Sequence, residues 1–217
     1  MLPTLTVSRS KTVLPDSLVS MCSQKLSVAR QLAGMVMDWV AVSVGDGCTL
    51  AGTWKGLQEM HALGFIPRVP RMLGVQAQGA RPLVDAFEAG GDLVPSAAET
   101  IADSICVGHP RNWRKALRAV RASGGALVAV PDDAILEAMR EAGRRAGVFG
   151  EPAGVAGLAG LRQAVRDGII GRRQTALAVV TGSGLKDVRT AIRAAGAPVD
   201  LPPDDAALAD HLQERPV

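Results

Sequence analysis

Short aliphatic runs alternate along the chain with stretches in which apolar positions recur every three to four residues. The aliphatic runs, at residues 39–44, 72–76, 126–130 and 176–180, are each closed by Gly, Pro or charge and predict four strands. The periodic stretches predict helices over residues 50–63, 81–89, 112–123, 132–142, 155–166 and 187–195. Strand and helix in alternation form βα units, so the fold class is α/β, a mainly parallel sheet flanked by helices. Pro131-Asp132-Asp133 predicts an N-cap followed by acids that suit the helix dipole, and Gly124-Gly125 and Gly168 predict helix stops. The pattern sets an α/β domain at 25–197, an unmatched segment at 1–24, and a loosely held tail at 198–217 containing Pro198, Pro202, Pro203 and Pro216.

Composition narrows this picture. Aromatics are 3% of the chain while Gly numbers 24, so the interior must be built from small aliphatic side chains at close helix and strand contacts. The formal charge of +3 comes from residues 1–37, where Arg9, Lys11, Lys25 and Arg30 face only Asp16. The rest is electroneutral, and no nucleic-acid face is expected. Arg111, Arg114, Lys115, Arg118 and Arg121 read as a solvated helix face rather than a phosphate stripe. Cys22, Cys48 and Cys106 are odd in number and far apart, which fits neither a disulfide framework nor a metal pair and implies a reducing cytoplasm. His61, His109 and His211 lack metal-ligand spacing, and no apolar run is long enough for a membrane span. Residues 1–24 are Ser-rich and acid-poor, as a transit peptide or a shifted start would be.

The chemistry concentrates after two of the strands. Gly45-Asp46-Gly47-Cys48-Thr49 joins a buried strand to a helix N-terminus, a context in which exposed amides and the helix dipole favour an anion. The spacing fits neither a GxxxxGK[ST] loop nor a dinucleotide fingerprint, so either a phosphate cradle or a tight βα turn without ligand satisfies it. Asp46 is expected to turn away and accept backbone N–H bonds. Thr181-Gly182-Ser183-Gly184-Leu185-Lys186-Asp187 repeats the context, with Thr181 able to bond a heteroaromatic nitrogen and Lys186 reading as a capping or surface lysine. Two such turns at one sheet edge can converge on one ligand. Between them, residues 100–113 read either as an ordered loop or as N-caps at Asp103 and Asn112. Cys48 is better explained as a small side chain in a tight turn than as a nucleophile.

These segments resemble the threonine synthase family of pyridoxal-phosphate enzymes. The carriers are residues 39–56, with Gly45-Asp46-Gly47-Cys48-Thr49-Leu50-Ala51-Gly52-Thr53-Trp54-Lys55-Gly56 unbroken, then residues 100–113, Glu151-Pro152-Ala153, and residues 181–187, all in family order. The resemblance implies the tryptophan synthase β-like fold, here incomplete, with pyridoxal 5′-phosphate as cofactor. Gly45, Asp46, Gly47, Cys48 and Thr49 would then cradle the cofactor phosphate, and Thr181 would meet the pyridine nitrogen. Glu151 would sit near the ring, buried or capping the helix it opens. The implied reaction is a lyase step of threonine biosynthesis, O-phosphohomoserine and water giving threonine and phosphate. The implied partner is a small phosphorylated amino acid, and a homodimer is compatible with the resemblance.

The departure is that the family's Schiff-base lysine lies in a Ser-x-Lys-Asp/Asn segment ahead of the first Gly loop. Lys11, Lys25, Lys55, Lys115 and Lys186 all stand in other contexts. The catalytic residue is therefore unassigned, and the chain is expected to be a fragment, inactive alone. Two rival readings stand beside this one: another lyase of the same fold, dehydratase-like or cysteate synthase-like, or an inert remnant that binds a phosphate compound or a partner.

Overall fold

The computed structural model describes residues 37–196 and 200–214, so the unmatched segment 1–24 lies outside the described residues. The elements run β1 (Trp39–Ser43), α1 (Cys48–Ala62), β2 (Arg71–Ala77), α2 (Pro82–Glu88), α3 (Trp113–Ala122), β3 (Ala126–Val130), α4 (Asp132–Ala146), α5 (Pro152–Arg166), β4 (Ala176–Val179), α6 (Val188–Ala195) and α7 (Asp205–Glu214). Short 3-10 turns occupy Asp103–Ile105 and Gly184–Lys186. The four strands form one sheet of order β3-β2-β1-β4, and every pairing is parallel.

Strand alternation divides the core in two. Trp39, Ala41, Leu73, Val75, Ala77, Val128 and Val130 face α4 and α5, whereas Val40, Val42, Met72, Leu127 and Ala129 face α1, α2 and α3. Buried Gln76 serves the second layer: its Oε1 accepts the Leu83 and Val84 amides at 2.9 and 3.1 Å, capping α2 where no side chain of that helix does.

Helix α5 lies directly on the sheet, and its first nine residues, 152–160, are all buried. The reason is a glycine every third position. A Cβ on Gly160 would overlap the Val75 side chain, and one on Gly157 would come within 3.4 Å of the Ala41 carbonyl oxygen and the Ser43 amide. Ser43 Oγ accepts the Gly157 N–H at 2.9 Å, tying helix to strand.

Element boundaries differ from the sequence pattern at helix ends. Helix α1 starts at Cys48, two residues before the first periodic apolar position, because Gly47 at φ 90° takes the N-cap place. Helix α5 starts at Pro152, the position where a missing N–H costs nothing. Helix α4 continues to Ala146, where Gly147 at φ 61° ends it. Its start agrees with the pattern: Pro131 holds the N-cap position and Asp132 and Asp133 fill the first turn, Asp132 also reaching the preceding loop. Within the segment 198–217, residues Asp205–Glu214 are helical.

Candidate functional site

Because all four strands are parallel, every βα turn leaves the sheet at one edge. The chain passes from β1 outward through β2 to β3, then returns to place β4 on the other side of β1. The order therefore reverses between β1 and β4, where α/β sheets open a crevice at their carboxyl ends. Residues 45–49 follow β1 and residues 181–187 follow β4, so the two Gly-rich turns flank that crevice.

The β1 turn is a cradle of backbone donors. The Val44 N–H still bonds the Val75 carbonyl at 2.7 Å, and the next backbone amide with a protein acceptor is Ala51, to Gly47 at 3.1 Å. Among the described residues, the six amides of residues 45–50 have no protein acceptor, although Gly45, Gly47 and Leu50 are buried. Buried amides without acceptors are rare in folded proteins, and here they coincide with the positive end of a helix of 15 residues. Amides in this arrangement suit an anionic acceptor. Side chains are excluded by packing: a Cβ on Gly45 would lie 3.1 Å from Ile105 Cα and Val107 Cγ2, and one on Gly47 would lie 2.8 Å from Ala116 Cβ.

Asp46 turns out of this cradle. Its Oδ1 accepts the Arg111 N–H at 3.0 Å and its carbonyl accepts the Asn112 N–H at 3.1 Å, so the carboxylate holds the following loop in place and does not oppose an anion. Cys48 and Thr49 are exposed and belong to the first turn of α1, where they contribute amides rather than a loop conformation.

The segment between the two turns is ordered by contacts to the sheet edge. The Glu99 N–H bonds the Gly79 carbonyl at 2.9 Å, and the Ser96 N–H bonds the Gly108 carbonyl at 3.0 Å. Thr100 Oγ1 donates to Asp132 Oδ1 at 2.5 Å, and the Ile101 N–H donates to Asp132 Oδ2 at 3.0 Å. Of the two N-cap alternatives, Asn112 does hold the N-cap position of α3, without a side-chain cap bond, whereas Asp103 lies inside the 3-10 turn. Asp132, a first-turn acid of α4 as the sequence pattern had it, also orders this loop through its carboxylate.

Across the crevice, Thr181 is exposed two residues beyond β4, and its hydroxyl has no protein partner among the described residues. The turn carrying it is bound to the start of α5: Glu151 N–H donates to the Gly182 carbonyl at 3.0 Å, Gly184 N–H donates to the Phe149 carbonyl at 3.0 Å, and Gly150 bridges Ser183. Glu151 holds the N-cap position but makes no side-chain cap bond. Its buried carboxylate instead receives Lys186 Nζ at 3.0 Å. Lys186 is thus a surface lysine, as expected, and its ammonium is engaged by a buried carboxylate.

Other candidates stay apart from the crevice. Arg114 stacks on Trp113 at 4.2 Å and Arg121 on Phe87 at 5.9 Å, along the outer side of α3. No group of three metal-ligating side chains occurs among the described residues, and no helix among them is long and apolar enough to cross a membrane. The feature missed in the sequence is the stripe Gly154, Gly157 and Gly160. Its spacing of three was the visible signal, and Gly154 meets the Gly182 backbone, so the stripe lets α5 approach both the sheet and the turn after β4.

Comparison with known proteins agrees with this fold. A family model described as pyridoxal-phosphate dependent enzyme matches residues 21–182. Threonine synthase of Methanocaldococcus jannaschii is 40% identical over 189 residues, covering 86% of this chain and 47% of that protein. Threonine synthase of Mycobacterium tuberculosis is 41% identical over 179 residues, covering 82% of this chain and 48% of that protein. The chain therefore spans about half the length of these curated relatives. Among solved structures, a threonine deaminase of T.th. superposes with a TM-score of 0.57 at 26% identity, covering 73% of this chain and 55% of that one. A threonine deaminase isoform of Solanum lycopersicum, at 19% identity and a TM-score of 0.62 over 80% of this chain and 48% of that one, shares the fold.

Proposed function

The chain belongs to the pyridoxal-phosphate-dependent enzyme family, and we propose that it carries the phosphate and ring-nitrogen contacts of a threonine synthase acting in the cytoplasm on O-phosphohomoserine. The observation that carries this reading is the run of six amides at residues 45–50 with no protein acceptor, set at a helix N-terminus in the crevice. The residues fit the cofactor: the amides suit a phosphate dianion, Gly45 and Gly47 leave no side chain in its way, and Thr181 offers a hydroxyl across the opening. When bound, pyridoxal phosphate supplies an electron-withdrawing ring that holds carbanionic charge.

This chain's residues divide the remaining work. The amides of residues 45–50 fix the phosphate, and Asp46 keeps its charge away from it by holding residues 111 and 112. Thr181 orients the ring nitrogen by a hydrogen bond; a hydroxyl there leaves a milder electron sink than a carboxylate would. The ordered loop of residues 95–112 limits water at the carboxyl edge of the sheet. Proton transfer at the substrate carbon requires a lysine in the family's Schiff-base context. None of the five lysines of this chain has that context, so the 217-residue chain by itself is proposed to bind cofactor without turnover.

The identity of 40% to a threonine synthase, against 26% to a threonine deaminase, favours water addition to a phosphorylated substrate over deamination. Calorimetric titration with pyridoxine 5′-phosphate, pyridoxine and inorganic phosphate tests the cradle without requiring a lysine. The phosphate ester is expected to bind at least tenfold more tightly than pyridoxine. Equal affinities would overturn the assignment of residues 45–50. Assays with O-phosphohomoserine, threonine and serine, run on the chain supplemented with a lysine-bearing polypeptide of the family, separate synthase from deaminase.

A further inference from the structure

We infer that Lys186 is a positioning residue that neutralises Glu151 beside the ring-nitrogen contact, so that the ring bonded to Thr181 is not held protonated. The inference rests on the reading that Thr181 meets the pyridine nitrogen. Glu151 is 6% exposed, and its carboxylate lies against Gly182, the residue after Thr181, so closely that a Cβ on Gly182 would overlap Glu151 Oε1. The carboxylate is fixed there because its own backbone N–H bonds the Gly182 carbonyl at 3.0 Å, while the flanking Gly184 N–H bonds the Phe149 carbonyl at 3.0 Å.

A carboxylate next to a pyridine nitrogen raises the nitrogen's proton affinity, because the pyridinium gains a nearby opposite charge. An ammonium on the same carboxylate removes most of that gain. Lys186 Nζ supplies it, 3.0 Å from both Glu151 oxygens. The lysine is presented by the Gly184–Lys186 turn, which Ser183 starts by accepting the Leu185 N–H at 3.3 Å. Neighbouring charges are engaged elsewhere. Asp187 accepts the Thr190 N–H at 3.0 Å, and Arg162 of α5 pairs with Glu141 of α4 at 2.9 Å. Among the described residues, Lys186 is therefore the cation that sets the charge state of the pair. The milder electron sink attributed to a threonine contact thus depends on a lysine five positions further on.

Pyridoxamine 5′-phosphate is a suitable probe, since it has no aldehyde and its ring absorbance and fluorescence report protonation of the nitrogen. Bound to the full 217-residue chain and titrated with acid and base, it is expected to keep a protonated ring to a pH at least one unit higher in K186M than in wild type, a tenfold change in proton affinity. K186R is expected to restore the wild-type midpoint, and E151Q combined with K186M to abolish the upward shift. Lys186 is 60% exposed on its side chain, so K186Q, which keeps a polar end, serves as the second probe should K186M fold poorly. A purely structural lysine would alter melting or affinity and leave the ring titration in place. Wild-type midpoints in ligand-bound K186M or K186Q would overturn the inference alone. Failure of the wild-type chain to bind the probe would sink the functional reading beneath it.

Discussion

Replacing Gly47 with alanine tests the cradle where backbone and packing constraints coincide. Gly47 sits at φ 90° and ψ 0°, a conformation that costs an L-residue about 1–2 kcal/mol. The added methyl would also lie 2.8 Å from Ala116 Cβ and 3.3 Å from the Asn112 carbonyl oxygen, and overpacking of this kind costs about 1–3 kcal/mol. Together the two terms predict a loss of about 2–5 kcal/mol, or roughly 4–20 °C in melting temperature for a domain of this size. Gly64→Ala is the control: Gly64 is at φ 76° with nothing within 4 Å, so only the backbone cost applies. Differential scanning calorimetry of both variants isolates the Ala116 contact as their difference. Ala116→Gly combined with Gly47→Ala should recover part of that difference, less about 1 kcal/mol for a glycine inside α3. Pyridoxine 5′-phosphate should bind Gly47→Ala at least tenfold more weakly, because relief of the clash moves the amides. If Gly47→Ala melts with Gly64→Ala and binds the ester normally, the packed-cradle argument is wrong.

The glycine stripe predicts opposite signs at two helical glycines: Gly160→Leu, driven into Val75, should destabilise by about 3 kcal/mol or prevent folding, whereas Gly143→Ala, with open space around it, should stabilise by about 0.5–1 kcal/mol in urea unfolding. Thr181→Ala should weaken pyridoxine 5′-phosphate binding by about five- to tenfold, the worth of one hydrogen bond, with Thr181→Ser close to wild type; an unchanged alanine variant would remove Thr181 from the site. Two aspartates contribute to the acid limb of stability. The Thr175 backbone hydrogen bond, and after it Arg68, hold the Asp38 carboxyl below its ordinary value, and the Thr190 side chain and amide do the same for Asp187. A carboxyl lowered by folding contributes stability above its unfolded pKa and loses it as pH falls through the lower folded value, so Asp38→Asn and Asp187→Asn should each reduce the steepness of the loss below about pH 4. Parallel acid-denaturation curves for wild type and both variants would show the assignment to be mistaken.

What the sequence made legible follows from the range over which each signal acts. The runs at 39–44 and 126–130 are aliphatic and β-branched and bounded by breakers, so local pattern located β1 and β3 to within a residue. Helix starts were less legible. Gly47 lacks a side chain with which to announce an N-cap, and the bonds that the Asp132 carboxylate makes to Thr100 and Ile101 span some 30 positions that no local pattern covers. Helix α7 follows two prolines and carries a weak periodic pattern, so Asp205–Glu214 read as tail. In the site, the turn at 45–49 was readable because strand, glycine and helix are contiguous. The Glu151–Lys186 pair was not, since the two residues are 35 positions apart and meet only through the bridge of Gly150 to Ser183.

The parallel register of β1 with β4 also sets an order of assembly. Asp38 and Thr175, whose hydrogen bond opens this pairing, are 137 positions apart, whereas β1 reaches β2 across a single βα unit. Closing a long loop is entropically dearer than closing a short one, and non-local parallel pairing is slow. The β1 turn takes its backbone donors from β1 and α1 and its packing from Ile105, Val107 and Ala116, all of which precede β4 in the chain. Thr181 lies two residues beyond β4, so its hydroxyl takes its place beside the β1 turn only through the longest-range pairing of the sheet.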